Sequence, residues 1–307
     1  MSLLVPVRAV LICLPLILCG CGRPLALVFL EPAFWDAAGG GEVLKKGLER
    51  AAHGEGWKAR IVLAENGKGG PSQQLEALLS KERIPTVVLG PFLSFEGMRL
   101  ANSFPATRFL LIDGYAGEDT AANTTQLQFD RRDAFREAGI ASALSAADGT
   151  AGPVGKVGIL RMIPAGAGDF EGDAFRDGAE GISGSGTVVI RELPESADRS
   201  RARLLLEEMR EAGVELFLLR AGNLAPFLLD SLRETGGTAV VEDWASSRML
   251  PRQVFLSIEE DVPAAVGLCL SRNAAGRSVV YGPVRIMAGE ARTLPAPLRE
   301  RVDHVGR

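Results

Sequence analysis

Histidine is nearly absent: the 307 residues contain two, His53 and His304. Neither stands in a catalytic or metal-ligand spacing, so a His-based catalytic group or metal site has little to draw on. Cysteine is equally thin. Three of the four lie before residue 22, and Cys269 sits alone in the apolar run 266–270. That excludes a disulfide framework and predicts a buried, inert thiol. Aromatic residues make up 6%, and no Lys/Arg-rich patch stands against the net charge of −4. A nucleic-acid partner is therefore not expected.

Long apolar runs are missing too. The longest stretch near the N-terminus, residues 9–19, falls short of the roughly 20 residues that a transmembrane helix needs. With Arg8 before it and small residues after it, it has the proportions of a secretory h-region. Its end, Leu18-Cys19-Gly20-Cys21, is similar to a bacterial lipobox, with an aliphatic residue at −3 and a small one at −1. Residues 1–20 are thus expected to be a lipoprotein signal peptide and Cys21 the lipidated first residue. That places the mature chain in the cell envelope, outside the cytoplasmic membrane and tethered to it by lipid.

What remains is an ordinary globular composition, 47% hydrophobic and 23% charged, long enough for about two domains. Apolar runs of strand length at 25–30, 58–64, 86–89 and 109–112 alternate with helical spacings, such as Leu75, Leu78 and Leu79. A second set follows with strands at 156–162, 187–193, 215–219 and 238–241, and later ones at 253–257 and 278–281. Such alternation with short loops means parallel strands and right-handed crossovers. The predicted fold class is α/β, two lobes with a mainly parallel sheet each and a cleft between. One lobe is expected from 24–118 plus about 257–280, the other from about 125–250 plus 281–307. The polar stretch 114–123 is the expected crossover and part of the hinge. Residues 31–36 read as a loop and the C-terminal stretch after 281 as a polar tail.

Catalytic motifs fail on spacing. Gly166-Ala167-Gly168-Asp169-Phe170-Glu171-Gly172 follows a strand and opens a helix, but its third glycine comes one residue late for a dinucleotide fingerprint. Residues 67–70 lack the order of a P-loop, and Ser183 and Ser185 do not form G-x-S-x-G. No enzyme activity, cofactor or metal is expected. In open α/β sheets ligands bind beyond the carboxyl ends of the strands. Those positions carry Glu31, Phe34, Trp35 and Asp36, then Asn66, Phe92, Asp113 and Tyr115 in the first half. In the second half they carry Arg161, Met162, Arg220, Asn223, Asp243 and Trp244. The candidate ligand-binding set is Phe34, Trp35, Asp36, Asn66, Phe92, Asp113, Met162, Asn223, Asp243 and Trp244. Aromatic faces beside carboxylates suit a small neutral polar molecule, a nucleoside or a sugar.

Several segments carry a family likeness. They are residues 104–113, Phe135-Arg136-Glu137-Ala138-Gly139, and 155–159 with Pro164, Phe175 and Gly178. Ala221-Gly222, residues 254–257 and residues 261–266 complete the set. In these the sequence resembles the basic-membrane-protein family of type I periplasmic binding lipoproteins, which includes the purine nucleoside receptor. The resemblance implies a two-lobed clamp that closes on a nucleoside and delivers it to an ABC transporter permease. It also implies that Asp243, in Val241-Glu242-Asp243, meets ribose hydroxyls. Glu260 stands where many members have a lysine. The opening Glu31-Pro32-Ala33-Phe34-Trp35-Asp36 is equally similar to sugar-binding type I proteins. A sugar-binding protein, or a surface lipoprotein that kept the fold and lost the ligand site, stays open as an alternative.

Overall fold

The structure, a computed structural model, describes residues 23–37, 41–65, 70–114, 121–147, 155–162, 168–242, 248, 250–271 and 278–289. Two six-stranded sheets organise them. The first holds β1 (Leu25–Leu30), β2 (Lys58–Leu63), β3 (Thr86–Leu89), β4 (Arg108–Ile112), β5 (Thr124–Phe129) and β11 (Ser278–Gly282). Its order is β11-β5-β4-β3-β1-β2, with parallel pairing throughout. The second holds β6 (Lys156–Met162), β7 (Val188–Leu193), β8 (Val214–Arg220), β9 (Thr238–Val241), β10 (Val254–Glu260) and β12 (Val284–Ala288). Its order is β12-β10-β9-β8-β6-β7, and β12 runs antiparallel to β10. Strand β1 is an unbroken apolar run, and β3 and β9 are apolar after an opening threonine, because helices cover both faces and leave no side of the sheet for water.

On the first sheet lie α2 (Gly41–Gly54), α3 (Gly70–Lys81), α4 (Ser94–Ser103) and α9 (Val262–Ser271). On the second lie α5 (Arg132–Ala147), α6 (Phe170–Ser183), α7 (Arg199–Glu211) and α8 (Ala225–Thr235). The helix starts follow local chemistry. Asp169 caps α6 by accepting a bond from the Gly172 amide at 2.9 Å, and Asp198 caps α7 through the Arg201 amide at 2.8 Å. The largest buried cluster joins the two lobes, running from Leu44 and Leu48 of α2 through Phe129 and Phe135 to Phe175 of α6. Cys269 is fully buried within it.

The chain changes sheets later than the polar stretch 114–123 led us to expect. Strand β5 pairs with β4 and β11, so the first crossing comes at residues 130–131. A side chain explains why β5 stays home: Asn123 donates to the carbonyls of Ala101, Phe104 and Thr107, at 3.1, 3.1 and 2.7 Å. That clamps the start of β5 to α4 and β4. The second crossing falls at Asp261 and not near 257, because β10 pairs with β9 in the second sheet through Ser257. The third passes Pro283 between β11 and β12. Two short elements also replace expected irregular chain. Residues 32–36 open the short helix α1 (Pro32–Ala37), with Pro32 at its start, where a missing N–H costs nothing. Residues 284–288, read as tail, are β12, whose alternation Val284, Ile286 buries one face against β10.

Helices α5 and α6 approach closely because small residues line their seam. Gly139 and Gly178 leave room for backbone: an added Cβ would strike the Phe175 carbonyl oxygen or the Arg136 carbonyl oxygen, respectively. Gly139→Ala and Gly178→Ala are each expected to destabilise the protein by about 1–3 kcal/mol through overpacking. Thermal denaturation checks this, with Gly181→Ala, which meets nothing within 4 Å of an added Cβ and should hold or gain stability, as the control.

Candidate functional site

The carboxyl ends of both sheets converge on one run of charged side chains. Asp113 stands at the end of β4, in the first lobe. Its carboxylate accepts a bond from Arg131 Nη2 at 2.9 Å. Arg131 sits on the first crossing and also meets Glu260, at the end of β10, and Glu171 Oε1 in the first turn of α6 at 3.8 Å. Glu171 Oε2 lies 3.4 Å from Nη1 of Arg220, at the end of β8. Arg220 reaches on to Asp169 and to Glu242, the residue after β9. Asp169 Oδ2 accepts from Arg161 Nη1 at 3.0 Å, and Arg161 Nη2 donates to Glu192 on β7 at 2.9 Å. Asp173 lies 3.8 Å from Arg161. Three guanidinium groups thus serve seven carboxylates, from the end of β4 to the far edge of the second sheet.

The run is held from beneath. The Arg220 guanidinium stacks 5.1 Å from the ring centre of Phe135, a cation–π contact that fixes its plane. Asp169 is 96% withdrawn from water and also caps α6, so both of its oxygens are committed. Asp113 adopts φ 47°, the left-handed region that aspartate tolerates better than most residues. Its own amide donates to the Leu127 carbonyl at 2.7 Å, which fixes the bend and aims the carboxylate at Arg131. Exposed rings stand at two of these strand ends, Phe92 just after β3 on the first lobe and Phe170 between Asp169 and Glu171 on the second. No cluster with the geometry of a metal site occurs among the described residues.

Two cavities of about 530 and 580 Å³ lie elsewhere, on the α2–α9 side of the crossings; Glu260 lines the first and Tyr281 the second.

Two lobes, three crossings and facing strand ends have known counterparts among solved structures. A transcriptional activator of the comK gene from Bacillus halodurans superposes with a TM-score of 0.70 at 16% identity, over 91% of this chain and 95% of that one. An ABC transporter solute-binding protein from Conexibacter woesei gives 0.66 at 15% identity, over 91% and 94%. A third, an ABC transporter solute-binding protein from Burkholderia graminis solved with D-arabinose, gives 0.56 at 15%, over 87% and 96%. The fold is the two-lobed type I periplasmic-binding-protein fold. No family model matches the sequence, and no curated protein matches it either.

Within the type I fold, the sequence-predicted residues scatter. Asp113 enters the charged run, and Phe92 is 74% exposed at the rim, free to cover a ligand face. Phe34 and Trp35, on α1, are half-buried against the main core, and Asp36 beside them is exposed. Met162 packs half-buried on the second lobe's α7–α8 core, and Asn223 lies exposed in the 3-10 turn Gly222–Leu224. Asn66, Asp243, Trp244 and Cys21 lie outside the described residues. Sequence reasoning missed Arg131, Asp169, Glu171 and Glu242 as site residues. Arg161 and Arg220 were legible at strand ends, and an acidic N-cap between them, Asp169-Phe170-Glu171, was the signal that could have joined them.

Two carboxyls in this region have raised pKa values. Burial is the main cause for Glu31, whose two oxygens make no hydrogen bond although the amides of Phe92 and Leu93 lie near enough to favour the ionised form. It presses against Gly90, where a Cβ would collide with its carboxylate. Desolvation likewise raises Glu242, against the pull of Arg220; a third of its side chain touches water, but dense protein surrounds the carboxyl. For Glu31 the folded state favours the neutral form. Its stability contribution is complete below the ordinary carboxylate range and is lost as pH rises through the raised value. Glu31→Gln is therefore expected to be more stable than the wild type at pH 7 and indistinguishable from it near pH 4. Urea unfolding at the two pH values measures the difference.

Proposed function

We propose that the protein is a lipid-anchored solute-binding component of an ABC importer. It would close its lobes on a small hydroxyl-bearing ligand, a pentose either free or within a nucleoside. The observation that carries this is the paired Arg and carboxylate groups at the facing strand ends, rimmed by exposed aromatic rings. Sugar hydroxyls both donate and accept, so one hydroxyl can bridge a guanidinium and a carboxylate without separating their charges. The C–H faces of a ring stack on aromatic side chains such as Phe92 and Phe170. The Burkholderia graminis neighbour solved with D-arabinose supports the sugar form, and the resemblance carried by residues 104–113 and 254–257 supports the nucleoside form. Binding of this kind does work by differential affinity for two lobe arrangements and needs no chemical step. The Leu18–Cys21 motif supports attachment at Cys21, with the mature chain outside the cytoplasmic membrane.

One observation favours a second reading. Every guanidinium in the run already has carboxylate partners, so its charge is balanced within the protein. A surface lipoprotein that kept the fold and gave up ligand binding would look the same.

A thermal-shift screen against pentoses, hexoses, nucleosides and free bases separates these readings. A ligand at a hundred times its Kd adds about 2.7 kcal/mol. We expect a shift with pentoses or nucleosides that Arg220→Gln and Phe92→Ala both reduce. Loss of a nucleoside shift in Asp243→Ala would support the ribose contact that the resemblance implies. No shift from well-folded protein would remove the transport reading and leave the ligandless lipoprotein.

A further inference from the structure

Arg131 sits on the first crossing, two residues past the end of β5, and its guanidinium touches three separate parts of the fold. Asp113 belongs to the first lobe, Glu171 to the second, and Glu260 ends β10 one residue before the second crossing. That second crossing is in turn tied to the third: Asp261 pairs with Arg285 on β12, and the Asp261 amide donates to the Pro283 carbonyl at 3.0 Å. The Arg131 side chain is 31% exposed, Asp113 29% and Glu260 19%, so the pairs remain within reach of solvent and salt.

We propose that Arg131 is an electrostatic latch that holds the two lobes in the arrangement seen here. The Asp113–Arg131 bond is the arm that spans the lobes; Glu171 and Glu260 hold the guanidinium in place from the second-lobe side. Rotation of the lobes about the three crossings pulls Asp113 away from Arg131 while the other two contacts stay with their own lobe. Asp113 is prepared for this role, since its left-handed backbone is fixed by the bond to Leu127 and leaves the carboxylate no other strong partner among the described residues. Taking the cation away does more than remove one attraction. It leaves Asp113 and Glu260 without their shared cation, two like charges on opposite sides of the crossing, while Glu171 keeps Arg220, and this weakens the hold between the lobes.

Pulsed electron–electron distance measurement tests the latch directly and needs no ligand. Spin labels go on Glu65→Cys and Glu195→Cys, exposed sites just past β2 and β7 on opposite lobes, in the full chain with Cys13, Cys19 and Cys21 changed to serine. Cys269 is buried and stays. The latch predicts one short-distance population at low salt. Arg131→Gln should convert most of it to a longer distance, Asp113→Asn should do so in part, and Lys45→Gln, whose partner Glu42 lies in its own helix, should change nothing. Raising salt to about 1 M, where the Debye length is about 3 Å, should move the wild type toward the longer distance. An unchanged distance in Arg131→Gln of native far-UV circular dichroism, or a single long distance in the wild type at low salt, overturns the proposal. If Arg131→Gln does not fold, Asp113→Asn decides alone, and its failure to shift is the contrary result. Because no solute is added, the outcome is independent of whether the cleft binds a pentose.

Discussion

The chain crosses between its two sheets three times, at residues 130–131, at Asp261 and at Pro283, and these crossings tie the two sheets together on one side of the molecule. Parallel strands put all their carboxyl ends on one side, and three closely tied crossings aim the two sides at a shared cleft. Every polar side chain that follows a strand is thereby brought near others of its kind. Charge then has to be settled locally, and the sequence settles it with Arg131, Arg161 and Arg220 among seven carboxylates. Each exposed pair is worth little alone, roughly 0.2–1 kcal/mol, but the buried Asp169 makes its neighbours interdependent. Removing one partner of a buried pair costs about 3–5 kcal/mol because a charge is left without a counterion.

The rest of the architecture serves that meeting of ends. Gly139 and Gly178 let α5 and α6 close up, which places the start of α6, with Asp169 and Glu171, beside the end of β8. Phe135, on α5, comes to lie beneath Arg220 through the same packing. Asn123 anchors β5 in the first sheet, and so sets where Arg131 leaves it. Packing and electrostatics here are one arrangement seen from two distances.

Much of the fold was legible in the sequence. Apolar runs such as Leu25–Leu30 gave strands within a residue of those observed, because a strand buried on both faces has few polar positions to confuse its pattern. The crossings were less legible. A polar stretch at 114–123 looks like a boundary, but pairing of β5 depends on Asn123 reaching carbonyls 16 to 22 residues earlier, which no local pattern reports. Strand β12 hid for a similar reason: five residues with one half-buried face carry little signal beside a proline. At the site, single residues at strand ends could be read, as Asp113, Arg161 and Arg220 were. Their pairing could not, since Glu171 and Arg220 are 49 residues apart and Arg131 and Glu260 are 129 apart. Aromatic residues near a strand end proved ambiguous in the same way, with Phe92 outward and Phe34 turned to the core.

We propose that the facing strand ends are where this protein would take a ligand. Hydrogen exchange measured by mass spectrometry, with and without the solute giving the largest thermal shift, tests it most directly. The account predicts added protection at the ends of β4, β6 and β8 and at the start of α6, where Asp113, Arg161, Arg220 and Glu171 lie. Protection confined to the α2–α9 side of the crossings, or none at these strand ends, would contradict it.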